Sequence, residues 1–219
     1  MGHIDLMKNY PKSDRSKLLK KRREVTSVDR AIAQQFGKEY FDGPRHLGLG
    51  GYHYDSKYFV PVVRDMIRYY GLNKNASILD IGCGKGFMMK DFKDALPDAS
   101  IYGIDISKYC IENSLPEVAS SIFLGSCDNL PFPDASFDLV ISIATIHNLE
   151  LEGVKKSLRE ITRVSRGSSY IKINGYENEE EKKNLNDWNL VAKTILHVDE
   201  WEQIFREIGY KGDYSFFCT

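Results

Sequence analysis

Apolar residues along the chain change their period several times, and each change marks an element. Over 28–41 the apolar positions Ile32, Phe36 and Tyr40 fall every four residues, which predicts a short helix with one face toward a core. The pattern stops over 41–54, a loop of interleaved glycines and tyrosines. It resumes over 58–70, where Val62, Val63, Met66, Ile67 and Tyr70 line one side, Pro61 sits in the first turn and Gly71 supplies a stop. Beyond it, unbroken apolar runs of strand length alternate with helical stripes. Strands are predicted at 78–81, 100–105, 121–124, 139–143 and 169–173, and helices at 87–96, 107–114 and 152–164. Strands without polar alternation are buried on both faces, and strands alternating with helices predict an α/β fold around a parallel sheet.

The last quarter is less regular. Residues 174–183 are charged and read as a solvated helix, and 185–196 holds Trp188, Leu190, Val191 and Ile195, which need burial. This connection exceeds what closing a sheet requires. We read 174–198 as an insertion that brings a helix near the ligand edge, forming part of a pocket with the 41–54 loop. A final helix follows, with Asp199 as a cap candidate, Trp201, Ile204, Phe205 and Ile208 on its core face and Gly209 at its end. A last strand is predicted over 214–218. Two units result: an extension or cap at 1–70, and a domain at 71–219 carrying the insertion.

The 41–54 loop is too long to be a mere connection, and its aromatics argue against disorder. A lid carrying Tyr52, His53 and Tyr54 over a ligand and a simple packing of the extension onto the domain both fit.

Candidate chemistry concentrates at Asp80-Ile81-Gly82-Cys83-Gly84-Lys85-Gly86, a strand end breaking into a glycine-alternating turn before a helix. Such a turn bends sharply and lets a ligand approach the backbone; a glycine turn without any ligand is the plain alternative. A dinucleotide fingerprint requires a third glycine where Phe87 stands, and a phosphate loop requires a hydroxyl where Gly86 stands. Asp105 ends the second strand 25 residues after Asp80. One strand, one helix and a parallel strand fill that length, so both carboxylates emerge at the same edge.

The motif resembles the first motif of class I S-adenosylmethionine-dependent methyltransferases. Tyr102-Gly103-Ile104-Asp105-Ile106-Ser107, the 125–130 loop with its Leu130-Pro131-Phe132, and 132–138 extend the resemblance over residues 77–173. It implies a Rossmann-like three-layer α/β sandwich: a mostly parallel sheet with helices on both faces, an antiparallel strand near the C-terminus, and here a helical N-terminal extension. It also implies S-adenosylmethionine as cofactor and S-adenosylhomocysteine as product. Asp80, Gly82, Cys83 and Gly84 would cradle the methionine end. Asp105, with Ile106 beside it, would take the ribose hydroxyls. Ser126, a departure from the family's Asp or Asn, and the N–H of Cys127 would meet the adenine. Ile143 would pack beneath the methionine.

His147, just past the fourth strand, is the most reactive side chain near the acceptor, and His147 and Tyr52 are the candidate catalytic residues. A structural hydrogen-bonding role is the competing reading for the histidine. The Asn/Asp-Pro-Pro-Tyr/Phe tetrad of exocyclic-amine enzymes is absent after the fourth strand, where Ser142-Ile143-Ala144-Thr145 stands. A Pro-Cys dipeptide and a catechol-type carboxylate cluster are absent too. What remains is O- or N-methylation of a small metabolite, sugar or amino-acid derivative, without a metal; the alternatives are an RNA or protein methyltransferase using the basic N-terminal arm and a non-catalytic S-adenosylmethionine-binding protein.

Composition narrows the alternatives. With 42% hydrophobic and 28% charged residues and no apolar run of membrane-spanning length, the 219-residue chain reads as soluble and cytoplasmic. A formal net charge of −1 gives no general attraction to nucleic acid or to an anionic membrane. Locally, residues 1–30 hold nine Lys and Arg against four Asp and Glu. An RNA-binding arm would look like this, as would a solvated helix or tail. The four cysteines, Cys83, Cys110, Cys127 and Cys218, are scattered as reduced thiols would be, and the leading Met1-Gly2-His3 is set aside.

Overall fold

Three short helices, α1 (Ser16–Arg22), α2 (Ser27–Ala33) and α3 (Lys38–Phe41), precede the long helix α4 (Ser56–Tyr70) in the computed structural model, which describes residues 2–12 and 14–217. The alternation then runs β1 (Ser77–Ile81), α5 (Phe87–Ala95), β2 (Ser100–Asp105), α6 (Lys108–Glu112), β3 (Ile122–Leu124), β4 (Leu139–Ile143), α7 (Leu151–Val164), β5 (Ser169–Tyr176), α8 (Glu179–Trp188), β6 (Leu196–His197), α9 (Val198–Ile208) and β7 (Asp213–Phe217).

The strands form one sheet in the order β3-β2-β1-β4-β5, with β7 along the outer edge of β5 and the two residues of β6 on its end. Both faces are covered. Leu79, Ile81 and Val140 pack with Val154, Leu158, Trp201 and Phe205 of α7 and α9. Ile78, Leu139 and Ile141 pack with Val62, Met66, Met89 and Phe92 of α4 and α5. Successive residues of one strand thus feed opposite cores, which is why the strand runs show no polar alternation. Among the described residues, no helix is long and apolar enough to cross a membrane.

The C-terminal strand departs from the antiparallel expectation. β7 runs parallel to β5, with Tyr170 opposite Asp213 and Asn174 opposite Phe217. Helix α9 accounts for this, since a helical crossover returns the chain to the end from which it started, whereas an antiparallel neighbour needs a hairpin. Residues at the N-terminus line the far side of β7: the N–H of Ile4 donates to Tyr214 O (2.9 Å) and the N–H of Tyr214 to Gly2 O (3.0 Å). His3, set aside in the sequence, therefore belongs to the sheet edge and stacks on Tyr214. Cys218, placed in the last strand by its sequence, lies outside the described residues.

Two helices differ from their predicted spans. The 28–41 helix is split in two: α2, closed at its start by a Thr26–Asp29 capping box, ends at Ala33, and Phe36 at φ 49° turns the chain before α3. The insertion's helix lies over the charged stretch, as its composition suggested, but starts only at Glu179 and runs on to Trp188. Asn178 caps it by accepting the N–H of Glu181, and three glutamates occupy its first turn, where the helix dipole favours them.

These two irregular regions meet. Ala33, Leu190 and Val191 form a third apolar cluster with Val25, Phe36 and Tyr40 against it. Arg22, only 5% exposed, donates to Trp188 O (2.6 Å) and Gly48 O (2.9 Å), and its guanidinium lies 4.3 Å from the centre of the Trp188 ring. Arg23 pairs with Asp187 (2.8 Å), Arg30 donates to Asn189 O, and Arg15 sits over Trp188 and Phe217. Residues 15–54 of the extension and the insertion thus pack together as a cap, joined by arginines, whereas α4 belongs to the sheet's own layers.

Candidate functional site

The turn after β1 is shaped by its glycines. Gly82 and Gly84 sit at φ 76° and 56°, where a side chain is strained. A Cβ on Gly82 would lie 2.1 Å from Thr145 Oγ1, and one on Gly84 2.9 Å from the Tyr52 ring. The turn is therefore packed from both sides by other parts of the chain, and α5 starts directly behind it at Phe87.

Two buried carboxylates flank it. Asp105, at the end of β2, accepts the N–H of Gly84 (2.7 Å) through one oxygen and that of Ser107 (2.8 Å) through the other. Burial still raises its pKa, with those backbone bonds opposing. Asp80 is buried and has no side-chain hydrogen bond among the described residues; burial, and then the charge of Asp105, push it up to about 7. A carboxyl held this way gains from any cation brought beside it.

A cavity of about 220 Å³ opens at this edge. Its sheet side is made by Ile81, Gly82, Gly84, Asp105, Ile106, Ser126, Cys127 and Ile143, and its cap side by Phe36, Tyr40, Phe41, Leu49 and Tyr52. Ala144, Thr145, Asn148 and Leu149 close the end next to β4. Among the described residues, Asp105 is the only charged side chain on this wall. The expected cofactor residues are thereby brought together, with two exceptions. Asp80 and Cys83 lie behind the lining, the Cys83 sulfur facing the position where Gly103 lacks a side chain. The Ser126 hydroxyl is turned to Asp128 rather than left free.

The candidate catalytic residues fare differently. His147 lies on a short 3-10 turn (Ile146–Asn148) and points into the core, away from the cavity. It is 3% exposed, its Nδ1 accepts the N–H of Asn174 (3.4 Å), and its carbonyl accepts those of Lys193 and Thr194 (both 3.0 Å). Burial holds its imidazole down to about 4, so it is neutral at ordinary pH. Asn148, one residue on, lines the cavity instead, and its Oδ1 is buried without a partner. Tyr52 does line the cavity, its ring 4.4 Å from that of Phe87. Burial raises its phenol well above the usual range, with Cys110, Asp80, Cys83 and Asp105 adding to the effect, so it keeps its proton.

Sequence reasoning missed Lys85 and Asp42. Lys85, from the glycine turn, donates to Asp42 Oδ2 (2.6 Å) and to the carbonyl of Tyr52 (2.8 Å). Asp42 also accepts the Tyr109 hydroxyl (2.5 Å) and the N–H of Tyr52 (2.8 Å). Burial would raise the pKa of Asp42, but these donors, Lys85 foremost, leave it below its ordinary value. The only signal in the sequence is a lysine among glycines with no phosphate motif to serve.

A profile of the methyltransferase domain family matches residues 79–173, the strand–turn–helix units that build this edge. A putative methyltransferase of Bacillus subtilis, YrhH, is 32% identical over 124 residues, covering 53% of this chain and 68% of its own. The tRNA (carboxymethyluridine(34)-5-O)-methyltransferase of Arabidopsis thaliana is 31% identical over 133 residues, but these are 59% of this chain and only 31% of the plant enzyme. Among solved structures, the YcgJ protein of Bacillus subtilis shares the fold at 23% identity, with a TM-score of 0.55 over 67% of this chain and 66% of that one.

Proposed function

Since the chain belongs to the S-adenosylmethionine-dependent methyltransferases, we propose that it transfers the methyl group to an O or N atom of a small, largely apolar acceptor. The observation that carries this reading is the cavity wall: a glycine turn and the buried Asp105 on one side, aromatic rings on the other, and, among the described residues, no other charged group.

The residues present suit the cofactor. Asp80 is a buried carboxyl lacking a partner, and a cofactor carrying an ammonium and a sulfonium supplies the charge it lacks. Asp105 has two acceptor oxygens for a vicinal diol, and Cys127 and Ile143 offer apolar walls to the base and the methionine chain. When bound, the sulfonium supplies a methyl already activated for in-line displacement. The chain's part is to hold the acceptor in line and keep water out, which the cap residues Phe41, Leu49 and Tyr52 are placed to do.

Proton removal has no obvious agent in this wall. His147 faces the core, and Tyr52 keeps its proton. The acceptor we infer therefore arrives ready to attack, as an unprotonated amine or an already ionised oxygen. His147 we assign to structure: its neutral ring accepts from Asn174 and ties the turn after β4 to β5.

The relative named as a tRNA enzyme keeps an RNA acceptor in view, and the basic N-terminus would be its natural contact. Against it, Arg22, Arg23 and Arg30 are already spent on the insertion, and Arg15 on Trp188 and Phe217. The test is calorimetry with S-adenosylhomocysteine, followed by turnover on small amines, phenols and carboxylates with RNA in parallel. Absence of heat with the cofactor product sinks the methyltransferase assignment. Methylation of RNA alone sinks the small-acceptor reading.

A further inference from the structure

The lysine of the glycine turn does not face the cavity, and its bonds all go to the cap. Lys85 Nζ reaches Asp42 Oδ2 at 2.6 Å and the Tyr52 carbonyl at 2.8 Å, and its side chain is only 10% exposed. Asp42 completes the arrangement by accepting the N–H of Tyr52 on its other oxygen and the Tyr109 hydroxyl beside the lysine. The backbone of Tyr52 is thus gripped at both its N–H and its C=O. Its ring is left seated on Phe87 and over Gly84, with both Tyr52 and Gly84 facing the same cavity.

We infer that Lys85 and Asp42 are positioning residues that hold Tyr52 as the cap-side wall of the cofactor cavity, so that the glycine turn builds its own cover. This rests on the methyltransferase reading above. Three properties make the grip effective. It is charge-assisted and shielded from solvent on the lysine side, where such bonds are strongest. It acts on the backbone, so that the ring's position is set whatever the side chain does. It also spans the two parts of the molecule, since Asp42 ends α3 of the cap and Lys85 lies between β1 and α5 of the sandwich. The surrounding loop is stiff enough to transmit it: Leu49 N–H donates to Tyr40 O (2.7 Å), Gly51 N–H to Phe41 O (3.1 Å), and a Cβ on Gly48 would collide with Tyr40 O. Of the two roles the sequence left open for 41–54, cover and packing, one set of contacts serves both.

The test measures S-adenosylhomocysteine binding by calorimetry and amide exchange over 41–54 by mass spectrometry, using the full chain. Asp42→Asn and Lys85→Met are each expected to weaken binding on the order of tenfold, with faster exchange in the loop. Lys85→Arg should recover part of the affinity, and the double variant Asp42→Asn/Lys85→Met should lose less than the two single losses combined, because both break the Lys85–Asp42 contact. Tyr109→Phe, which removes a single donor from a side chain near the surface, should shift affinity the same way by a smaller factor. It stands in should either charge variant fold poorly. Single variants that bind as the unaltered protein does overturn the inference and leave the methyltransferase reading standing. Unaltered protein that does not bind overturns both.

Discussion

The sheet edge and the cap meet around one cavity, yet they are built by different means. At the edge, each feature follows from a few neighbouring residues: glycines where φ is positive, and an acid at the end of each of two adjacent parallel strands. The cap instead joins residues 15–54 to 184–194, segments more than a hundred positions apart, through arginines that donate to main-chain carbonyls. A backbone carbonyl has no sequence signature, so neither half of the cap announces its partner. In the function we propose, the edge holds the cofactor and the cap meets the acceptor, and the two degrees of local encoding follow that division of labour.

The largest expected effect breaks the cap while sparing the edge. Replacing Arg22 by alanine leaves the Trp188 carbonyl unpaired in a buried place, takes one of two donors from the Gly48 carbonyl, which Arg45 still reaches (2.6 Å), and removes a cation from the Trp188 ring. One unpaired acceptor, one weakened acceptor and one ring contact together amount to about 3 kcal/mol. Hydrogen exchange should show amides of 16–50 and 184–194 opening on the order of a hundredfold more often, with those of β1 and β4 unchanged. Equal acceleration in β1 would mean that cap and sheet unfold as one unit, and the comparison would fail. The complementary change breaks the edge: Asp105→Ala should weaken cofactor binding by roughly 1.5–3 kcal/mol through lost charge-assisted bonds. Calorimetry on that variant checks it, with thermal melting to confirm an intact fold.

How far the sequence could be read follows the same division. The strands β1, β2, β4 and β5, the glycine turn and the placing of Asp80 and Asp105 at one edge were legible, because strand length and glycine sterics act within a few residues. Gly82, Gly84, Asp105, Ile106, Ser126, Cys127, Ile143 and Tyr52 all reach the cavity wall. The split at Phe36, the span of α8 and the direction of β7 were not legible, each being decided by a left-handed residue, a cap or a crossover that apolar periodicity does not record. That His147 is buried while Asn148 lines the cavity was not legible for a related reason. In a 3-10 turn, adjacent side chains point to different sides, and the identity of a side chain does not say which side it takes.

The acidic pair offers a pH test of intermediate size. Asp80, raised from 3.8 to about 7, keeps a proton in the free protein that its unfolded counterpart has lost. Between those values the folded chain binds more protons, so this group's contribution to stability is greatest at the acid end and falls as pH rises toward 7. A positively charged cofactor favours the ionised form and releases that proton. Affinity should therefore climb with pH from 5 to 7, by at most about tenfold per unit, and level off above. Calorimetry in two buffers of different ionisation enthalpy reads the proton directly, and Asp80→Asn should abolish both the release and the slope. A flat affinity profile with no proton released would show that the carboxyl is already ionised in the free protein.

The smallest effect is expected where the sequence pointed most strongly to chemistry. His147→Gln keeps an acceptor near the Asn174 N–H and removes the imidazole. If the imidazole is structural, turnover should stay within about twofold, since the group neither faces the cavity nor exchanges a proton near neutrality. A limb near pH 7 in the kcat/KM profile does not by itself implicate it, because Asp80 titrates there while His147, held down to about 4, does not. The two variants separate the assignments. Asp80→Asn should erase the limb, and His147→Gln should leave it in place. Loss of the limb in the His147 variant, with its melting temperature preserved, would return the histidine to the reacting side of the cavity and require the turn after β4 to rearrange when the acceptor binds.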